Sequence, residues 1–106
     1  MDYPKLRYIE AFPVEADNPT RIYIRDPLNY AKTPLLVPYQ TYFLMTHFDG
    51  HHSVAEIQTA FTQQFKQVLP LEKIHEVIRQ LDQYHYLESE RFATLRNEIH
   101  DAFFRA

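Results

Sequence analysis

The stretch that governs the fold is "FDGHHSVAEI", residues 48–57. It contains the only glycine of the chain, Gly50, followed by a Ser-x-x-Glu pattern formed by Ser53 and Glu56. Glycine readily takes the left-handed conformation that follows a helix, and Ser-x-x-Glu is the capping box that begins one. We therefore predict that a first helix stops at Gly50 and that a second helix starts after Ser53.

The same stretch also contains residue types that bind metals, namely Asp49, His51 and His52. Adjacent histidines in a turn point in different directions, and neither HExxH nor another known ligand spacing accompanies them. The remaining histidines are scattered, and none has a carboxylate at the spacing of a catalytic triad. We therefore predict a structural role for this stretch. We expect no metal, no cofactor and no catalytic site, so the chain is not expected to be an enzyme.

Composition excludes several classes of protein. With 106 residues, of which 45% are hydrophobic, the chain is long and apolar enough for one domain with a packed core. It has no cysteine, which excludes disulfides and fits a cytoplasmic location. We find neither a signal peptide nor a membrane-spanning segment. A single glycine rules out a Gly-rich phosphate loop, and a net charge of -3 disfavours nucleic acid.

The chain before residue 39 has the patterns of three short strands. Residues 8–14 mix aromatic and β-branched types, and residues 21–25 alternate between apolar and polar side chains. Residues 16–20 between them have the composition of a turn. The third strand, residues 35–37, has a proline on each side, which is typical of an edge strand.

After residue 38 the periodicity becomes helical. Residues 39–48 form a short apolar segment, and apolar side chains then recur at helical spacing from residue 53 to 65 and from 71 to 81. Ser89 can cap a last helix. The predicted fold class is α+β, with a small three-stranded antiparallel sheet followed by three helices and a C-terminal helix.

The loop between the first two helices resembles that of a known family. "FDG" at 48–50 and "SVAEI" at 53–57 match the pattern DG-x-x-[ST]-[VL]-x-E-[IL] of PqqD-like domains. These are winged helix-turn-helix modules that are also called RiPP recognition elements. Other segments resemble the PqqD-like domain that precedes the MEMO domain in bacterial proteins of the AmmeMemoRadiSam system: "RYIEAFPV", "IRDPLNY" and "LDQYHYLESERF". One departure is Tyr84-His85-Tyr86-Leu87, which stands where the family has "GLL" after the third helix, and the missing glycine affects the expected geometry of the wing.

The resemblance implies a winged-helix domain at residues 1–88, and a C-terminal helix at 89–106 that leads to a missing downstream domain. It implies a non-catalytic role in docking a peptide or protein, which adds as a strand to the third strand and lies against the third helix. The implied peptide-binding residues are Leu35, Leu36, Val37, Lys73, Ile74, Val77 and Ile78. On their own, the same residues also fit a plain edge strand and a helix packed in the core.

Two other interpretations remain open. In the first, the chain is a structural adaptor or a homodimer that uses its C-terminal helix, because Phe103 and Phe104 cannot both face one stripe of a helix. In the second, a winged helix binds DNA. Acidic residues of the third helix outnumber its basic ones and repel phosphates, which disfavours this second interpretation.

Overall fold

The computed structural model of the chain describes residues 2–14 and 20–105. Its elements in chain order are β1 (Glu10–Pro13), β2 (Arg21–Arg25), β3 (Leu35–Pro38), α1 (Tyr39–Met45), α2 (Val54–Phe65), α3 (Leu71–Gln83) and α4 (Glu90–Arg105). The strands form one antiparallel sheet in the order β1-β2-β3. The predicted α+β class is confirmed. The predicted turn at 16–20 lies, apart from Thr20, outside the described residues.

The sheet packs its inner face on the helices. Ile22 and Ile24 of β2 are buried, whereas the alternate residues of this strand are exposed, which confirms the predicted alternation. Helices α1, α2 and α3 each add apolar side chains to the same core, as the spacing of these residues requires. The core includes Leu44, Met45, Ile57, Phe61, Ile74, Ile78, Leu81, Tyr86 and Leu87.

The capping box at the start of α2 is confirmed. The backbone N–H of Glu56 donates to Ser53 Oγ (3.2 Å), and the backbone N–H of Ser53 donates to Glu56 Oε1 (2.9 Å). A cap of this kind contributes about 1 kcal/mol to stability. The second half of the 48–57 stretch therefore begins a helix, as the sequence predicts.

The prediction that the first helix stops at Gly50 was wrong, because α1 ends earlier, at Met45. Asp49 instead forms a β-bridge with Lys5 of the N-terminal segment, and the Gly50 N–H donates to the carbonyl of Pro4 (2.9 Å). Gly50 has φ +82°, and a Cβ there would lie 3.3 Å from Lys5 Cδ. The glycine thus turns the chain away from the N-terminal segment and towards α2.

The end of α3 keeps a glycine-type geometry without a glycine. His85 has φ 69°, and its N–H donates to the carbonyl of Asp82 (3.0 Å). The N–H of Tyr86 donates to the carbonyl of Leu81 (2.9 Å), which completes a Schellman motif. Histidine is tolerated in this left-handed position at a cost of about 1 kcal/mol. The segment that follows His85 is packed in the core, with Tyr86 and Leu87 fully buried, although no glycine stands at this turn.

The last helix, α4, begins as predicted, because the N–H of Phe92 donates to Ser89 Oγ (3.3 Å). Phe92 is buried, but Ile99 and Phe103 further along the helix are exposed. α4 therefore packs on the domain mainly by its first turns. Across residues 2–14 and 20–105, we find no helix with the length and apolar character needed to cross a membrane.

Candidate functional site

The outer edge of β3 is the first part of the candidate site, since no strand of the described chain lies beyond it. The N–H of Tyr39 donates to the carbonyl of Thr20 (2.9 Å), and the register pairs Val37 with Ile22. Hydrogen-bonded pairs alternate along an antiparallel ladder, so the amide positions 35, 37 and 39 face β2. Positions 34, 36 and 38 then face outward. Two of these are prolines, so Leu36 supplies the only outward N–H among the three.

A groove between two helices is the second part of the candidate site, and none of its lining residues belongs to a strand. It has a volume of about 240 Å³ and lies between the start of α1, which directly follows β3, and the exposed side of α3. Its walls combine apolar surface with polar and charged groups. The residues that line it are Gln40, Thr41, Leu44, Phe61, Leu69, Lys73, Glu76, Val77 and Gln80.

The structure separates the four helix residues of the implied peptide-binding set into two pairs. Lys73 and Val77 line the groove. Ile74 is 0% exposed and Ile78 is 7% exposed, so both are core residues and a ligand in the groove cannot reach Ile74. Of the strand residues, Leu36 is exposed, whereas the other two, Leu35 and Val37, are partly buried and pack against the core.

The Asp49 carboxylate is engaged within its own loop. It accepts the backbone N–H of His51 (2.8 Å) and lies 2.9 Å from His52 Nδ1. The N–H of His51, and then the hydrogen bond from His52, lower the pKa of Asp49 below its usual value. In the part of the chain that the structure describes, no three His, Cys, Asp or Glu side chains converge as metal ligands would. The contacts of this loop are those of a turn between helices.

An ion pair that the sequence does not reveal joins the N-terminal segment to the segment after β2. Arg7 and Asp26 are both buried, and Arg7 Nη2 donates to Asp26 Oδ2 (2.9 Å). The same carboxylate accepts backbone N–H groups of Leu28, Tyr30 and Ala31. Burial alone would raise the pKa of Asp26, but the amides of Ala31 and Leu28, together with Arg7, lower it below its usual value. The carboxylate therefore stays ionised and organises the segment after β2.

Arg7 joins this segment to the rest of the domain. Its Nη1 donates to the carbonyl of His85 (2.6 Å) at the end of α3. Its guanidinium lies 3.9 Å from the ring centroid of Phe92 in α4, a cation–π contact. Asp26-Pro27 is typical of a turn, so the sequence predicts that Asp26 bonds to nearby backbone amides. It gives no indication that Asp26 pairs with Arg7.

Comparison with known proteins adds a limited similarity. The fold and the groove define an α+β domain with an open strand edge beside a helix. The chain is 28% identical, over 89 residues, to a protein of Aquifex aeolicus (strain VF5) described as "MEMO1 family protein". The match covers 84% of this chain and 22% of the relative, so the chain spans about a fifth of that protein's length. No family model matches the chain, and no solved structure matches it significantly.

Proposed function

We propose that the chain is a non-catalytic peptide- or protein-docking module of the PqqD-like, winged-helix type. In this proposal residues 1–88 are the docking domain, and α4 leads on to the rest of a larger, cytoplasmic, MEMO-associated bacterial protein. The similarity to a much longer MEMO1 family protein supports the association with MEMO proteins. The sequence resemblance supports the PqqD-like type.

The observations that carry the docking proposal are the open edge of β3 and the groove between α3 and α1, the helix that directly follows β3. An incoming extended segment pairs with Leu36, which offers both its N–H and its carbonyl. The flanking prolines add only carbonyl acceptors, so pairing is short and the register is fixed around Leu36. Side chains of the incoming segment then enter the groove beside Lys73 and Val77. Backbone pairing supplies affinity, and the groove supplies selectivity.

A charge-reversal pair tests the proposal. Overlapping peptides from proteins encoded by neighbouring genes are titrated against the wild-type chain, and the binding peptide is then titrated against Lys73→Glu and Lys66→Glu. Both lysines are exposed, but only Lys73 lines the groove. We expect Lys73→Glu to change the dissociation constant about tenfold, because it alters a contact to the ligand, and Lys66→Glu to leave it unchanged.

The alternative is an adaptor or homodimer that uses α4. A cavity of about 310 Å³ on that helix is lined by Tyr30, Arg96, Ile99, His100 and Phe103, and its apolar members are partly exposed. In that case Phe103→Ser weakens the complex and Lys73→Glu does not, which would contradict the groove. Light scattering after size exclusion separates a homodimer from a complex with another protein.

A further inference from the structure

The outer face of the sheet, opposite the helices, carries a continuous apolar row. Phe12 of β1 pairs with Tyr23 of β2, and Tyr23 pairs with Leu36 of β3. Because alternate residues of β2 bury Ile22 and Ile24 on the inner face, this row points away from the core. Phe12 is 48% exposed, Tyr23 39% and Leu36 52%. The solvated face of an antiparallel sheet is normally polar, so a row of this kind is characteristic of an interaction surface.

Cationic groups surround the row. Arg21 and Arg25 flank Tyr23 on β2, and a cavity of about 230 Å³ beside Tyr23 includes Arg25 and Lys32 in its walls. Two acidic groups lie nearby, and one of them offsets part of this positive charge. Glu10 lies 3.5 Å from Arg25 in an exposed pair, and Asp26 is already neutralised by Arg7 and three amides. Among the described residues of this surface, Arg21, Arg25 and Lys32 outnumber Glu10, so the surface is apolar with an excess of positive charge, although the whole chain carries a net charge of -3.

We propose that this sheet face, defined by Phe12, Tyr23, Arg25, Lys32 and Leu36, docks an acidic amphipathic helix of a partner protein. An apolar stripe of that helix covers the row, and its flanking carboxylates meet the cationic groups. A second copy fits less well, because both faces would carry the same excess of positive charge. The surface is separate from the proposed groove, which lies on the helical side of the sheet, and it shares only Leu36 with the proposed pairing edge of β3.

The test uses a synthetic amphipathic helical peptide with leucines along one face and glutamates beside them, and a second version in which lysines replace the glutamates. We expect the glutamate peptide to shift the amide resonances of residues 12, 23 and 36, and to bind about tenfold more tightly than the lysine peptide at low salt. Phe12→Ser and Arg25→Gln should each lower the affinity for the glutamate peptide about tenfold. The first variant removes part of the apolar contact and the second removes a positive charge. Phe103→Ser is the matched control, and it should leave binding unchanged.

Circular dichroism and thermal unfolding show whether each variant is folded. We expect both variants to fold like the wild-type chain, because the side chains of Phe12 and Arg25 are exposed to solvent. Equal binding of the two peptides would overturn the proposal. So would shifts confined to α4 or to the groove, or a concentration-dependent dimer that Phe12→Ser abolishes. Lys73→Glu, the variant of the groove, should bind the glutamate peptide like the wild-type chain, so that failure here and failure of the proposed docking groove are distinguishable.

Discussion

Asp26→Ala is expected to destabilise the domain by about 3–5 kcal/mol, because it leaves the Arg7 guanidinium buried without its carboxylate. The expected loss of stability is large because the Asp26 carboxylate interacts with several groups at once. It pairs with Arg7 at 2.9 Å and accepts three backbone amides of the segment that follows β2. Urea unfolding at neutral pH, followed by circular dichroism, measures the difference in the free energy of unfolding.

The matched control for this variant is Glu10→Ala. Glu10 forms an exposed ion pair with Arg25 at 3.5 Å, and removing it should change the free energy of unfolding by no more than about 0.5 kcal/mol. If Asp26→Ala also stayed within about 1 kcal/mol of the wild-type chain, then Arg7–Asp26 would not hold the domain together as described.

The same carboxylate gives the stability a defined pH dependence. The pKa of Asp26 is lower in the folded chain than its usual value, so folding favours the ionised form. Its contribution is complete above the pKa of the unfolded chain, about 3.9, and is lost as the pH falls through the lower pKa of the folded chain. Asp26→Asn removes the titrating group, so its stability should fall less steeply with acid than that of the wild-type chain.

Ile74→Ala is expected to cost about 2–5 kcal/mol, because Ile74 is fully buried and alanine leaves a cavity in the core. Its neighbour Lys73 is exposed and contributes no core packing, so Lys73→Ala should stay within about 0.5 kcal/mol of the wild-type chain. Thermal unfolding of both variants gives the comparison. If both variants lost equally little stability, Ile74 would be accessible to solvent, and a peptide could contact it.

This pair of variants also decides how binding data are interpreted. The sequence resemblance assigns Ile74 and Lys73 the same role, whereas in the structure only Lys73 lines the groove. A loss of binding in Ile74→Ala would therefore follow from unfolding, and Lys73 is the informative position for contacts to a ligand.

Local patterns made most of the elements predictable from the sequence. The alternation of β2, the proline before α1, the capping box of Ser53 and the cap of Ser89 each depend on residues a few positions apart. Signals of this kind depend only on residues close together in the sequence, so they can be recognised without knowing how the rest of the chain packs. The sequence placed the end of α1 too late, because the conformation of Gly50 is set by contacts with the N-terminal segment. Its neighbour Asp49 forms a β-bridge with Lys5, which is far away in the sequence and which no local pattern reveals.

The candidate site was predictable only in part, for the same reason. The two prolines beside β3 are visible in the sequence, but the direction of each amide depends on the register with β2. The partner of Asp26 is 19 residues away, in a segment with no regular structure. Helical spacing likewise places Ile74 and Val77 near one another on α3, and only the packing of α1 and α2 decides that one is buried and the other lines the groove.

The most direct test of the docking account is the hydrogen exchange of the Leu36 amide, measured by NMR with and without the peptide that binds. Among the outward amide positions 34, 36 and 38, only Leu36 carries an N–H. In the free chain it should exchange with solvent, and at saturating peptide it should slow at least about tenfold, because it then donates to the added strand. A Leu36 amide that exchanges equally fast in the saturated complex would contradict strand addition at β3.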